Sequence, residues 1–255
     1  MEEPRVRTIR IARHDGAEAD DLVAVEEPLE IRVQSKPLSV TMRTPGDDFD
    51  LALGFLFTEG IVTSIDDVES IRHWGSANVV RVALREGVAI DLQKLQRHFY
   101  ATSSCGVCGK SSIDALRVHA RPIASRPPLD AEFIHRLPAL LRGTQRAFDA
   151  TGGLHAAAIV ALEGEVLAAR EDVGRHNAVD KAIGALLASR SLPLTHGALV
   201  VSSRASFELV QKALVAGIPM LAAVGAPSSL AIELAKEMGM TLLGFVREGR
   251  FNVYA

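Results

Sequence analysis

The chain's two cysteines, Cys105 and Cys108, stand together in one short stretch, "TSSCGVCGKSS" (102–112). A Cys-x-x-Cys pair can supply half of a metal site, form a redox disulfide, carry sulfur as a persulfide, or be inert. Buried structural cysteines ordinarily sit in apolar sequence, whereas these are surrounded by Ser, Gly and one cation, Lys110. A nearby cation favours the thiolate, which is the nucleophilic form. Gly106 and Gly109 give the stretch backbone freedom. A mobile thiolate suits a carrier that takes sulfur at one place and delivers it at another.

The metal and redox alternatives lack supporting residues. A closed zinc site needs four ligands, and one CxxC provides two. Zinc nucleobase deaminases carry H-x-E followed by P-C-x-x-C. Here His155-Ala156-Ala157 places alanine where the general acid/base belongs, Ser104 precedes Cys105, and the chain order is reversed. No metal site is expected. Nor does a thioredoxin-like βαβ pattern surround the pair.

The elements that must position this chemistry follow from the patterning. At 255 residues, 48% hydrophobic and 23% charged, the chain suits one large or two smaller globular domains. The net charge of -3 gives no electrostatic case for DNA or RNA. The first residues lack an apolar signal region, and no apolar run approaches the roughly 20 residues of a membrane helix. With so few cysteines, a reducing cytoplasm is the expected location.

Residues 1–27 form a charged N-terminal segment in which "VRTIRIAR" reads as a strand and 15–21 as a loop. Residues 28–120 read as a small α+β domain followed by the CxxC loop. Its order is a hairpin about "QSKP", a helix "DDFDLALGFLFTEG" capped by Asp47 or Asp48 and ended by Gly60, then strands "VESIRHW" and "NVVRVAL". A helix, a polar loop and a second short helix are expected over 91–116. Three prolines in "RPIASRPPL" (121–129) mark a boundary. Residues 121–255 then read α-β-β-α-β-α-β-α-β, starting with one amphipathic helix at 130–148. Repeated β-α-β units require a mainly parallel sheet, with the first hairpin strand antiparallel to the rest. "RFNVYA" adds an edge strand.

Ligands of open α/β sheets bind outside the carboxyl ends of the strands. Four polar segments fall there: "REDVGRHN" (170–177), "SSRAS" (202–206), "GAPSS" (225–229) and "REGR" (247–250). A helix start with Arg175 and His176 suits an anion, as do the hydroxyls and guanidinium around Arg204. The plainer readings are helix caps by Asp172, Ser203, Ser206 or Ser228, a charged surface hairpin at 247–250, and a structural His155 after Gly152-Gly153.

The motifs "SSCGVCGK", "TGGLHAA", "REDVGRHNAVDKAIG", "SSRASFELVQKA" and "LLGFVREGRFNVY" together are similar to the formate dehydrogenase accessory sulfurtransferase (FdhD) family, from about residue 28 to the C-terminus. Gly225 and Ser228 depart mildly from that pattern, where Ser and Thr are expected. The resemblance implies a cytidine-deaminase-like, mostly parallel three-layer α/β domain and a smaller ubiquitin-roll-like α+β domain. It implies a sulfurtransferase acting as a persulfide carrier. A cysteine desulfurase would load sulfur on Cys105, with Cys108 as partner. The sulfur would pass to the molybdenum cofactor, Mo-bis(molybdopterin guanine dinucleotide), before its insertion into formate dehydrogenase. The cofactor, with its guanine nucleotide, would meet Phe245, Val246, Arg247, Glu248, Gly249 and Arg250. Arg204, Arg247 and Arg250, with His176 at a helix start, suit its phosphates. Two cofactor halves make a homodimer the expected assembly. The competing classes are an assembly chaperone that binds the cofactor without sulfur chemistry, and a zinc or redox CxxC protein.

Overall fold

A computed structural model of the chain describes residues 5–88 and 120–255. It is built around two sheets. The smaller has the order β4-β3-β6-β5, from β3 (Glu27–Val33), β4 (Lys36–Arg43), β5 (Val68–Trp74) and β6 (Ser76–Leu84). Its helix, α1 (Asp48–Thr58), follows β4 as expected. The larger has the order β12-β11-β10-β9-β7-β8, from β7 (His155–Ala161), β8 (Val166–Asp172), β9 (Gly197–Val201), β10 (Met220–Ala223), β11 (Thr241–Arg247) and β12 (Arg250–Val253). Strands β9, β10 and β11 are parallel, while β7 is antiparallel to both β8 and β9. The first hairpin strand therefore opposes its neighbours, as the sequence order requires, and β12 closes the far edge antiparallel to β11.

Alternation within the central strands assigns the layers. Ala156, Ala158 and Val160 of β7, Ala198 and Val200 of β9, and Met220 and Ala222 of β10 face α2 (Ala131–Arg142). The intervening residues, among them Ile159, Leu199, Val201 and Leu221, face the opposite way. They join one continuous core with α4 (Arg175–Ala188), α5 (Phe207–Val215), α6 (Ser229–Met238), α1 and the inner face of the small sheet. Both faces of the large sheet are covered, which explains why its strands read as unbroken apolar runs.

Helices α1 and α4 approach until their backbones touch. A Cβ added at Gly54 would lie 1.8 Å from the Asp180 carbonyl oxygen, and one at Gly184 would lie 1.9 Å from that of Asp50. Charged groups fasten both ends of this crossing. Arg170 binds Asp50 at 2.6 Å at the start of α1. At its end, Thr58 Oγ1 donates to Asp180 at 2.8 Å and Lys212 Nζ meets Asp180 at 2.9 Å and Glu59 at 3.6 Å. Burial works against the Lys212 ammonium, but the Asp180 and Glu59 carboxylates outweigh it and hold its pKa above the ordinary lysine value.

Three local expectations are corrected. The acidic run at 15–21 is not a loop throughout. Its second half enters β2 (Glu18–Ala24), paired antiparallel with β1 (Val6–Ala12), because Arg10 reaches across to Glu18 and Asp20. Asp47 holds the cap position of α1 with φ 55° but makes no side-chain cap bond; its carboxylate binds Arg5 at 2.6 Å, while Asp48 in the first turn binds the fully buried Arg43. The single helix read at 130–148 is two, α2 and the short α3 (Arg146–Thr151). The break comes after Gly143, and the Glu171 carboxylate, from β8, accepts the Ala147 and Phe148 N–H groups that begin α3. The helices expected over 91–116 lie outside the described residues.

Two substitutions test the crossing. Gly184→Ala should destabilise the protein by about 3 kcal/mol or more, the upper end of overpacking costs, because a backbone carbonyl cannot rotate away as a side chain can. Lys212→Ala, which leaves the Asp180 carboxylate buried and uncompensated, should cost roughly 3–5 kcal/mol. Urea denaturation of each variant reads both.

Candidate functional site

The carboxyl ends of β8, β9, β10 and β11 lie along one edge of the large sheet, joined there by the start of β7. The four polar segments singled out in the sequence are therefore gathered on that edge. Backbone hydrogen bonds join two of them to each other and to the flanking strands β7 and β11: Ser202 N–H to Ala156 O (3.0 Å), Gly225 N–H to Ser203 O (3.0 Å) and Phe245 N–H to Gly225 O (3.1 Å). The approach at Gly225 is close, since a Cβ there would meet the Arg204 backbone at 3.0 Å. The glycine that departs from the family pattern is thus fitted to this chain's own loop. Ser202 Oγ accepts the Ala156 N–H at 2.9 Å and closes the edge beside β7.

A cleft of about 1070 Å³ opens along this edge beneath α2. His155, Gly152 and Gly153 line it from the start of β7, with Ser202, Val224 and Glu248 from the sheet loops. Helix α2 contributes Glu132, His135, Arg136 and Arg142. Its other face, carrying Phe133, Ile134, Leu137 and Leu141, is buried on the sheet. The Asp130 carboxylate caps its start, accepting the Glu132 and Phe133 N–H groups.

The expected contact residues are placed unevenly. Glu248 lines the cleft and Gly249 turns with φ 77°, joining β11 to β12. Phe245 is exposed with φ 53°, and Arg250 and Arg204 are exposed. Arg247 turns back, donating to the Val224 carbonyl at 2.6 Å. Val246 is fully buried in the core beneath α2. His176 is not among the cleft-lining residues: it turns to Glu208, with Nε2 3.8 Å from the carboxylate. Burial acts to raise the Glu208 pKa, yet the nearby polar groups of His176, its own backbone and Ser206 outweigh burial and hold it below the ordinary glutamate value. Cys105 and Cys108 lie outside the described residues.

Two groups had not been read as functional. The polar face of α2 was legible only as amphipathy, although Glu132, His135, Arg136 and Arg142 recur at i, i+3, i+4 and i+10 along one polar stripe. Asp172, read as a cap, is a buried junction instead. Its carboxylate accepts from Gly174 N–H (2.8 Å), Asn177 Nδ2 (2.9 Å) and Thr44 N–H (3.1 Å), and pairs with Lys181 at 2.8 Å. Lys181 also donates to the Thr44 carbonyl at 2.8 Å, and Asn177 to that of Met42 at 2.7 Å. The junction ties the floor of the cleft to the exit of β4. Of the plainer cap readings, Ser228 does cap α6, accepting the Ala231 N–H, whereas Ser206 sits at the cap of α5 without a side-chain bond.

His155 stands directly across the β7–β8 pair from Asp172. Its pKa is lowered, first by burial and next by the Arg175 charge, with His176 adding to the effect and Asp172 opposing it. Among the described residues, no group of three or more His, Cys, Asp or Glu side chains is placed to hold a metal ion. No described helix is long and apolar enough to cross a membrane.

The whole architecture is shared with a solved structure of a candidate formate dehydrogenase accessory protein from Desulfotalea psychrophila. That structure superposes with a TM-score of 0.78 at 25% identity, covering 98% of this chain and 95% of that one. Relatives named sulfur carrier protein FdhD are more similar in sequence. The one from Streptomyces avermitilis is 54% identical, over 98% of this chain and 93% of its own length. The one from Sulfolobus acidocaldarius is 46% identical, over 98% and 96%. The profile of the FdhD/NarQ family matches residues 24–255, and the chain belongs to that family.

A histidine whose folded pKa is depressed contributes stability that is present above its unfolded value, near pH 6.5, and is lost as pH falls toward the folded value. Stability should therefore fall on acidification below about pH 6.5, and His155→Gln should lessen that slope. Thermal melts across the mildly acidic range measure the difference; equal slopes would place the effect elsewhere.

Proposed function

We propose that this protein is a sulfur carrier serving formate dehydrogenase. Its substrate sulfur arrives as a persulfide on a cysteine desulfurase. The Cys105 thiolate attacks the outer sulfur, and the desulfurase thiolate leaves, so Cys105 becomes the persulfide. The sulfur then passes to the molybdenum of Mo-bis(molybdopterin guanine dinucleotide), carried as cargo, before that cofactor enters the dehydrogenase. Cys108 is the partner thiol. What carries the reading is relatedness over the full chain: relatives with about half of their residues identical, matched over nearly their whole length, are named sulfur carriers.

The cleft supports the cofactor-binding half of the proposal. Its volume suits a nucleotide-sized group, and Arg136 and Arg142 face it with the polar loops at its other side. Arginines bind phosphate through paired N–H groups, and glycines at 152 and 153 leave backbone open to a ligand. On this reading the guanine nucleotide end lies along Phe245–Arg250, with Arg204 toward the phosphates, while His176, turned to Glu208, stays outside the cleft. We assign residues 121–255 to a deaminase-like domain and residues 28–120 to a roll-like domain followed by the CxxC loop. The protein acts in the cytoplasm, where thiols stay reduced, as a homodimer that offers one cleft to each half of the cofactor.

The decisive experiment is mass spectrometry after incubation with a cysteine desulfurase and cysteine. A gain of one sulfur atom should map to Cys105. Cys105→Ala should leave the client formate dehydrogenase inactive while guanine nucleotide binding persists. Full dehydrogenase activity with this variant would reject the carrier in favour of an assembly chaperone without sulfur chemistry. Near-stoichiometric zinc in the purified protein would favour the metal alternative instead.

A further inference from the structure

We propose that the β5 edge of the small sheet binds an acidic, extended segment of a partner polypeptide, which pairs alongside β5 and brings carboxylates to Arg72 and Arg81. The site lies on the other sheet from the cleft, and the inference does not depend on the sulfur-carrier reading.

The geometry begins with a row of like charges. Arg32 of β3 lies directly across from Arg81 of β6, and Arg81 directly across from Arg72 of β5. Residues so placed share one face, and like charges directly opposite each other weaken a strand pairing. This face points away from the core, since the intervening Ile31, Val80 and Val82 are the buried ones. Arg32 is relieved by an ion pair with Glu30. Among the described residues neither Arg72 nor Arg81 meets a carboxylate, and Arg81 Nε is buried without a hydrogen-bond partner. Both gather instead on the Trp74 ring, whose centre is 4.3 Å from the Arg81 guanidinium carbon and 5.3 Å from that of Arg72. A ring face attracts a cation but leaves its charge in place.

The same strand is an open edge. β5 ends the order β4-β3-β6-β5, and among the described residues it pairs with β6 alone. Its outer row of N–H and C=O groups is a template for one more strand. Bulges between Val68 and Ser70 and between His73 and Trp74 limit the regular part to residues 70–73. Successive side chains of an added strand point to opposite faces. On one face they meet Arg72, Arg81 and Trp74. On the other they meet Ile71 and the exposed Phe49 ring, which packs against His73 at 4.9 Å. The segment that fits therefore alternates acidic and apolar residues. A second copy of this chain, related by a two-fold axis through the edge, would set arginines against arginines. RNA would supply anions but no row of amide groups to match a strand edge.

Trp74 is the chain's one tryptophan, so its emission reports on this site in the intact protein. The probe is a short synthetic peptide of alternating glutamate and valine, blocked at both ends. It should shift the Trp74 emission saturably, and a lysine–valine peptide of the same length should not. The acidic peptide N-methylated at every residue keeps its charge but cannot pair with a strand edge, and it should also fail. Arg72→Gln combined with Arg81→Gln should weaken binding by about tenfold or more, the factor that one charge-assisted hydrogen bond confers. Thermal melts report whether the double variant is folded; where it is not, Arg72→Gln alone, at an exposed position, should still weaken binding. No response to the acidic peptide, an equal response to the lysine or N-methylated peptide, or unchanged affinity in the folded variants overturns the proposal. So does a response to oligouridylate with none to the peptide, which makes the partner RNA. An oligomer in sedimentation that the peptide dissociates gives the edge to a second copy and overturns it too.

Discussion

Helices α1 and α4 cross with no side chain between them, and the two layers of the protein are held in place by that contact. Gly54 and Gly184 allow it, since even a methyl group at either position would fall on a carbonyl of the other helix. At one end of the crossing Thr58 of α1 reaches Asp180 of α4, and long cationic side chains from neighbouring elements close both ends: Arg170 of β8 on Asp47 and Asp50, and Lys212 of α5 on Asp180 and Glu59. Buried ion pairs of this kind are often energetically neutral relative to an apolar core, but breaking one side of a pair is expensive. Here they fix one register between helices that a smooth apolar seam would leave free to slip.

The same economy of position appears at Asp172. One carboxylate serves the turn into α4, the exit of β4 and the Lys181 ammonium. Its charge favours a proton on His155 but is outweighed there by burial and Arg175. The electrostatic character of the cleft floor is thus set by contacts made with the smaller sheet, behind the surface that a ligand would touch.

Much of this was legible in the sequence where one physical rule dominates. Strands β9, β10 and β11 could be read because burial on both faces demands continuous apolar residues, and the loop edge followed from their parallel order. Glycines after a helical pattern marked its end, as at Gly60 and Gly239. The misreadings arose where a distant partner decided the outcome. Glu171 caps α3 from β8, and Arg10 makes a strand of an acidic run. Asp172 reads as a cap because nothing in its neighbourhood reveals Thr44, 128 positions away. The glycine pair at 54 and 184 carries no local signal at all, since a glycine in a helix is legible only as a defect until its neighbour is known.

The two walls of the cleft are held by different kinds of force. The floor, at β7, β8 and the start of α4, is set by directional bonds with fixed lengths and angles. Helix α2 is seated on the sheet by Phe133, Ile134, Leu137 and Leu141, and the segment before it is tied by Ile123 N–H to the Met238 carbonyl and by Arg126 to that of Gly239. Apolar burial has no preferred direction, so a helix seated this way can shear by an ångström or two while keeping most of its buried area. A vise works on the same plan, with one jaw bolted to the frame and the other sliding. The width of the cleft can change with that helix, while the loop edge stays in register with the rest of the molecule.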